Sequence, residues 1–183
     1  MVENMATFVE QVDRSKERPR DPRNREVVHS VGDPQVGNLA TPINSSDLVK
    51  AFINNLPAYR KGLSPIRRGL EVGLAHGYWL VGPFAKFNPL RFTEVGTLVA
   101  LLSAIGLVVI STLAISLYAA VNPPAPVATL TTPRPPEALK RQEGWDEYAA
   151  GFFLGGVGGA VFAYAILANV DVLKNFLNLV GLD

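Results

Sequence analysis

The sequence predicts an all-α membrane protein with three transmembrane helices, a short amphipathic surface helix and a polar N-terminal arm. Three observations carry that expectation. Charge is unevenly spread: of 17 Lys+Arg and 16 Asp+Glu in 183 residues, eleven and eight fall within residues 1–68, leaving six and eight for the other 115. A soluble domain distributes charge over its whole surface, so this split reads as a polar arm followed by membrane. Val95 to Val121 is a run of 27 residues without one charge, longer than the roughly 20 that cross a bilayer core. Tyr148 to Val170 adds 23 uncharged residues, bounded by Asp146, Glu147 and Asp171.

Composition also narrows the function. The chain has no Cys, which excludes disulfides, thiolate catalysis and Cys-ligated zinc or iron–sulfur clusters. His29 and His76 are its two histidines, too few for a His-built zinc site. A net charge of +1 offers nothing to nucleic acid. No convergent nucleophile, base or metal cluster stands out, so an enzyme is not expected.

Taken in order, residues 1–45 form the arm. Arg14, Lys16, Arg18, Arg20, Arg23 and Arg25 alternate there with Asp13, Glu17, Asp21 and Glu26, and such mixed charge with few apolar residues cannot bury enough surface to fold alone. The acids argue against a transit peptide, and the lack of an apolar core in the first thirty residues argues against a signal peptide. Residues 46–68 read as an interfacial segment. Leu48, Val49, Phe52, Ile53 and Leu56 gather on one helix face, with Ser46 placed to cap the helix and Pro57 to end it.

Residues 69–170 are the expected three-helix transmembrane domain, with spans at about 69–85, 95–121 and 148–170. The span from Gly69 to Ala85 is the least apolar, since it contains Glu71 and His76 between Arg67, Arg68 and Lys86. Residues 122–147 connect the second and third spans through six prolines, between Pro123 and Pro136, and should be extended and solvent-facing. Residues 171–183 are the expected C-terminal tail. Basic residues set the orientation: eight flank the membrane on the side of the N-terminus and three on the other, which places the N-terminus in the cytoplasm and the C-terminus across the membrane.

The ionisable residues of the first span carry the chemistry. Glu71 and His76 lie five residues apart, a rotation of about 140° and a rise of about 7.5 Å on an α-helix, so they face nearly opposite ways and need separate partners. A neutral imidazole suits a planar tetrapyrrole metal, and Gly73 and Gly77 would clear room for a flat ring; a simple bond from His76 to a neighbouring carbonyl is the plain alternative. Glu71 can pair with Arg67 or Arg68 one turn away, or serve as the ion site of a small transporter or channel component. In the third span Gly151, Gly155, Gly159 and Ala163 form a four-residue stripe suited to close helix packing.

Several ordered motifs together are more specific. Asn55-Leu56-Pro57-Ala58-Tyr59-Arg60, Leu63-Ser64-Pro65, Arg68-Gly69-Leu70-Glu71-Val72-Gly73, Ala75-His76-Gly77-Tyr78, Pro89-Leu90-Arg91, Glu143-Gly144-Trp145 and the glycine-rich run from Gly151 to Ala160 closely resemble subunit XI of the photosystem I reaction centre, the L subunit, in its cyanobacterial form. The resemblance covers roughly residues 33–170. It implies a non-catalytic, three-helix thylakoid protein that binds antenna chlorophyll a and β-carotene, with lipid as a further ligand. It also implies contacts with core and small membrane subunits of photosystem I and with L subunits of adjacent monomers, making trimers or tetramers. In that family a glutamate and a histidine of the first helix ligate chlorophyll magnesium, which carries over to Glu71 and His76. Trimeric members have an acid after Pro-Leu-Arg that helps hold calcium between copies. Here Phe92 stands in that place and Glu94 is displaced, so the calcium site lacks that ligand. The arm and the Pro-rich loop look more like members whose photosystem I forms dimers and tetramers.

Overall fold

The computed structural model describes residues 10–11, 25–26, 28–31 and 39–179. Most of the expected polar arm, and residues 180–183 of the expected tail, lie outside them. The chain divides into two compact units, one comprising the residues up to Lys61 together with Val127–Pro135, the other Gly62–Pro126 together with the residues from Pro136 onward.

In the first unit, β1 (Glu10–Gln11) pairs antiparallel with β2 (Arg25–Glu26), and β3 (His29–Ser30) with β4 (Leu39–Ala40). The sequence reading had no strand in this arm. Each ladder is two residues long, far below what makes a sheet stable by itself. Helix α1 (Asp47–Asn55) is capped as expected, with the Ser46 hydroxyl accepting from the Val49 N–H at 3.3 Å. Leu48 and Phe52, one turn apart, are 82% and 64% exposed, while Val49, Ile53 and Leu56 of the same apolar set are half-buried.

The Pro-rich connector has neither helix nor strand from Pro123 to Pro136. It is nevertheless anchored within this unit. The Asn54 side chain donates to the Thr131 carbonyl at 2.7 Å, and the Thr131 hydroxyl donates to the Asn44 carbonyl at 2.9 Å. Thr132 is buried, so this part of the connector is not the wholly solvent-facing loop that its prolines suggest.

The second unit is helical: α2 (Pro65–Phe87), α3 (Gly96–Ala120), a 3₁₀ turn (Glu137–Lys140), α4 (Gln142–Ala168) and α5 (Val170–Leu179). Helix α5 replaces most of the expected C-terminal tail; Asp171 in its first turn suits the positive end of the helix dipole. Helix α2 begins four residues before the expected span, with Pro65 in its first turn, where a missing N–H costs nothing.

Among the described residues two helices are long and apolar enough to cross a membrane, α3 and α4. Helix α2 is long enough but carries Arg67, Arg68, Glu71 and Lys86. Of the most apolar 18-residue stretches of α3 and α4, 22% and 39% are buried within the chain. A soluble protein would bury most of such a helix. Leu102, Ile110, Leu113 and Leu117 on α3 are all more than half exposed, as expected for side chains that face hydrocarbon or an apolar partner.

Helices α2 and α4 meet along their length through two reciprocal rows of glycine. A Cβ added at Gly69, Gly73 or Gly77 would fall well inside 3.0 Å of the carbonyl oxygens of Tyr148, Phe152 and Gly156 respectively. In return, Gly151, Gly155 and Gly159 lie against the carbonyls of Ile66, Leu70 and Leu74. Residue numbers rise together on both helices, so α2 and α4 run parallel. The expected small-residue stripe on α4 is thus a packing surface, and α2 supplies its counterpart.

Helix α3 packs differently. Val81, Ala100, Leu101, Ala104, Ala160 and Ala163 form a buried cluster, flanked by Phe84, Ile105 and Tyr164. Val108 is fully buried, with its Cγ1 2.6 Å from where a Cβ on Gly156 would sit. This contact is made by side chains filling space, not by touching backbones.

Candidate functional site

His76 is exposed on α2, next to the glycine seam. Its Nδ1 lies 2.7 Å from the Val72 carbonyl oxygen, one turn earlier. A carbonyl can only accept, so Nδ1 carries the proton and donates. In the neutral ring Nε2 then holds the lone pair, the tautomer in which a metal-ligating imidazole has its other nitrogen fixed by a carbonyl. The ring also lies 5.6 Å from that of Phe152 on α4, at 58°, which fixes its plane from the flank. The carbonyl bond foreseen as the plain alternative to ligation is therefore present and leaves one nitrogen available for a ligand.

Glu71 is half-buried and engaged with a partner within the chain. The hydrogen bond and the ring contact of His76 go to Val72 and Phe152.

The expectation that Gly73 and Gly77 clear room for a flat ring is overturned. Both glycines are buried against α4, with the backbones of Phe152 and Gly156 in the space a Cβ would take. They bring α4 close, and through it Phe152 to His76. Sequence reading missed Phe152, because no local signal pairs residues 76 positions apart; only the matching glycine periods on α2 and α4 could have suggested that register.

Beyond this, Tyr78, Trp79, Gly82, Ala163, Ile166 and Leu167 line a groove of about 170 Å³ between α2 and α4. Two motifs take on structural meaning at the ends of the helices. Gly144 lies against the Ala138 carbonyl, and the indole N–H of Trp145 donates to the Leu139 carbonyl at 2.8 Å. Between α2 and α3, the buried Asn88 side chain donates to the carbonyls of Phe84 at 2.7 Å and Gly96 at 3.4 Å, bolting the turn that holds Pro89-Leu90-Arg91. Among the described residues no group of three or more His, Asp or Glu could hold a metal ion.

Comparison with known proteins decides the family. The sequence model of the family described as photosystem I reaction centre subunit XI matches residues 26–172. The chain belongs to that family. It is similar to the photosystem I reaction center subunit XI of Nostoc sp., 59% identical over 91% of this chain and 97% of the relative. The subunit XI of Mastigocladus laminosus is 56% identical over 90% and 95%, and that of Gracilaria tenuistipitata var. liui 50% identical over 78% and 91%. The resemblance read from the motifs is thereby confirmed, in its cyanobacterial form. The protein is a subunit of photosystem I, a membrane component of the thylakoid associated with the other subunits of that complex.

Proposed function

We propose that this subunit is non-enzymatic, binds antenna chlorophyll a and β-carotene, and mediates oligomerisation of photosystem I monomers. The observation that carries the pigment role is His76. Its Nδ1–H is committed to Val72, its Nε2 holds the remaining lone pair, and its side chain is exposed beside an aromatic ring. That donor fits the magnesium of a chlorophyll, and Glu71, on a different face of α2, would hold a second. The pigments supply light absorption and excitation transfer; the chain supplies fixed positions, since α2 is clamped to α4 through backbone contacts. The groove beside Tyr78 and Trp79 would take only a part of a long apolar carotenoid, lying along α2 and α4.

The same reading makes α2 a third membrane span. Parallel helices in contact along their length, with α3 between them in sequence, fit three crossings in alternating directions. At 23 residues α2 is about 35 Å long, enough for the bilayer core. The basic residues then place the N-terminus in the cytoplasm and the C-terminus in the lumen, and α1 lies at the membrane surface with Leu48 and Phe52 inward. Contacts with L subunits of adjacent monomers would use the C-terminal segment, where Val172 and Leu179 of α5 are exposed. No observation favours the alternative of a transporter with Glu71 as ion site.

The test is pigment stoichiometry in photosystem I carrying H76L. The reading predicts loss of one chlorophyll per copy of the subunit, with the complex still assembled; an unchanged chlorophyll count would remove His76 as a ligand. Truncation after Asn169 should convert oligomers to monomers on native electrophoresis while charge separation persists, and oligomers of unchanged size would assign assembly to another part of the chain.

A further inference from the structure

The turn between α2 and α3 holds a recess of about 510 Å³ lined by Ala85, Lys86, Phe87, Arg91 and Phe92, a size in the range of ligand sites. Its two polar side chains are both cations, and no carboxylate lines it. Neither Lys86 nor Arg91 forms an ion pair among the described residues. Phe87 and Phe92 are 75% and 87% exposed, so large apolar rings stand open beside unneutralised positive charge. Such a combination suits a molecule with an anionic head and a hydrocarbon tail.

The site is held in shape by the turn itself. The Arg91 guanidinium carbon lies 4.3 Å from the centre of the Phe92 ring, and the same group donates to the Asn88 carbonyl at 3.4 Å. Asn88 is buried and tied to both helices, while the N–H groups of Arg91 and Thr93 close on the carbonyls of Asn88 and Leu90 at 3.3 and 2.9 Å. Glu94, the nearest acid in sequence, is not among the residues that line the recess.

We infer that this recess binds the headgroup of an anionic bilayer lipid, with phosphate or sulfonate oxygens between Lys86 and Arg91 and an acyl chain against Phe87 and Phe92. The inference rests on the reading that α2 and α3 cross the membrane, because only then does their shared turn lie at headgroup level. Snorkelling lysine and arginine would by themselves attract the bilayer as a whole; an open recess that sets two cations beside two exposed aromatic rings gives one lipid both a headgroup and a chain contact.

The test uses intact photosystem I, washed with mild detergent, with retained lipids counted by native mass spectrometry. The double variant K86Q/R91Q is expected to lose one anionic lipid per copy of the subunit, and K86R/R91K to keep it. The single variants K86Q and R91Q, each expected to retain the lipid less well, carry the test if the double variant does not assemble. In add-back, phosphatidylglycerol should refill the washed complex and phosphatidylcholine should not. Equal lipid counts in wild type and the glutamine variants, or equal refilling by the two lipids, would overturn the proposal. Occupancy by inorganic phosphate without uptake of phosphatidylglycerol would overturn it as a lipid site. Loss of membrane spanning by α2 would instead show in its topology, which is measured separately from lipid retention.

Discussion

Helix α2 meets its two neighbours by opposite means. Against α4 the surfaces are glycine and carbonyl, with Gly69, Gly73 and Gly77 on one side and Gly151, Gly155 and Gly159 on the other. Around α3 the contact is made of side chains, with Val81 of α2 in one cluster with Ala100, Leu101 and Ala104 of α3, and with Val108 of α3 filling the space over Gly156 of α4. In lipid there is no hydrophobic gain from bringing two apolar helices together, so close packing has to supply the association. The glycine seam offers the closest packing available, and it serves the helix with four charged residues. The comparison suggests that α2 is held by shape where its composition is unfavourable.

The largest expected effect therefore comes from the seam. A leucine at Gly77 (G77L) would drive a side chain into the Gly156 carbonyl, where nothing flexible can yield. Overpacking ordinarily costs about 1–3 kcal/mol and sometimes more; here we expect the subunit to be missing from purified photosystem I on gel electrophoresis. G156A should be milder, about 1–3 kcal/mol, because the atom it meets is the end of the Val108 side chain; incorporation should fall and recover in G156A/V108A. If G77L were tolerated as well as G156A, the distinction between the two contacts would be lost.

Smaller effects mark the periphery. W145F deletes the indole N–H donated to Leu139, worth about 0.5–1.5 kcal/mol, and should lower the temperature at which the subunit dissociates from the complex. S46A removes the α1 cap, a loss of about 1 kcal/mol. It should loosen α1 in hydrogen exchange, at the N–H groups of its first turn, without altering the helices of the second unit.

The sequence was most readable where one property dominates a long run. Val95 to Val121 and Tyr148 to Val170 announced α3 and α4 through the absence of charge, and Ser46 announced the start of α1. The site was readable in part. The spacing of Glu71 and His76 placed them on different faces of α2, but the proximity of Phe152 to His76 follows from a register between helices that no local pattern contains. Gly73 and Gly77 were misread for the same reason: a glycine beside a candidate ligand and a glycine beneath a neighbouring helix look alike until the neighbour is placed. Residues 171–179, taken as tail, belong to α5, since a ten-residue helix directly after α4 leaves too short a signal to separate from a frayed end.

The central claim, that α2 crosses the membrane parallel to α4, can be tested directly because the chain contains no cysteine. Single variants K61C, before α2, and K174C, within α5 after α4, give unique sites for a membrane-impermeant thiol reagent applied to sealed thylakoid vesicles. Three crossings predict that the two positions are labelled from opposite sides of the membrane. Labelling of both from the same side would leave only α3 and α4 as spans and would contradict the account.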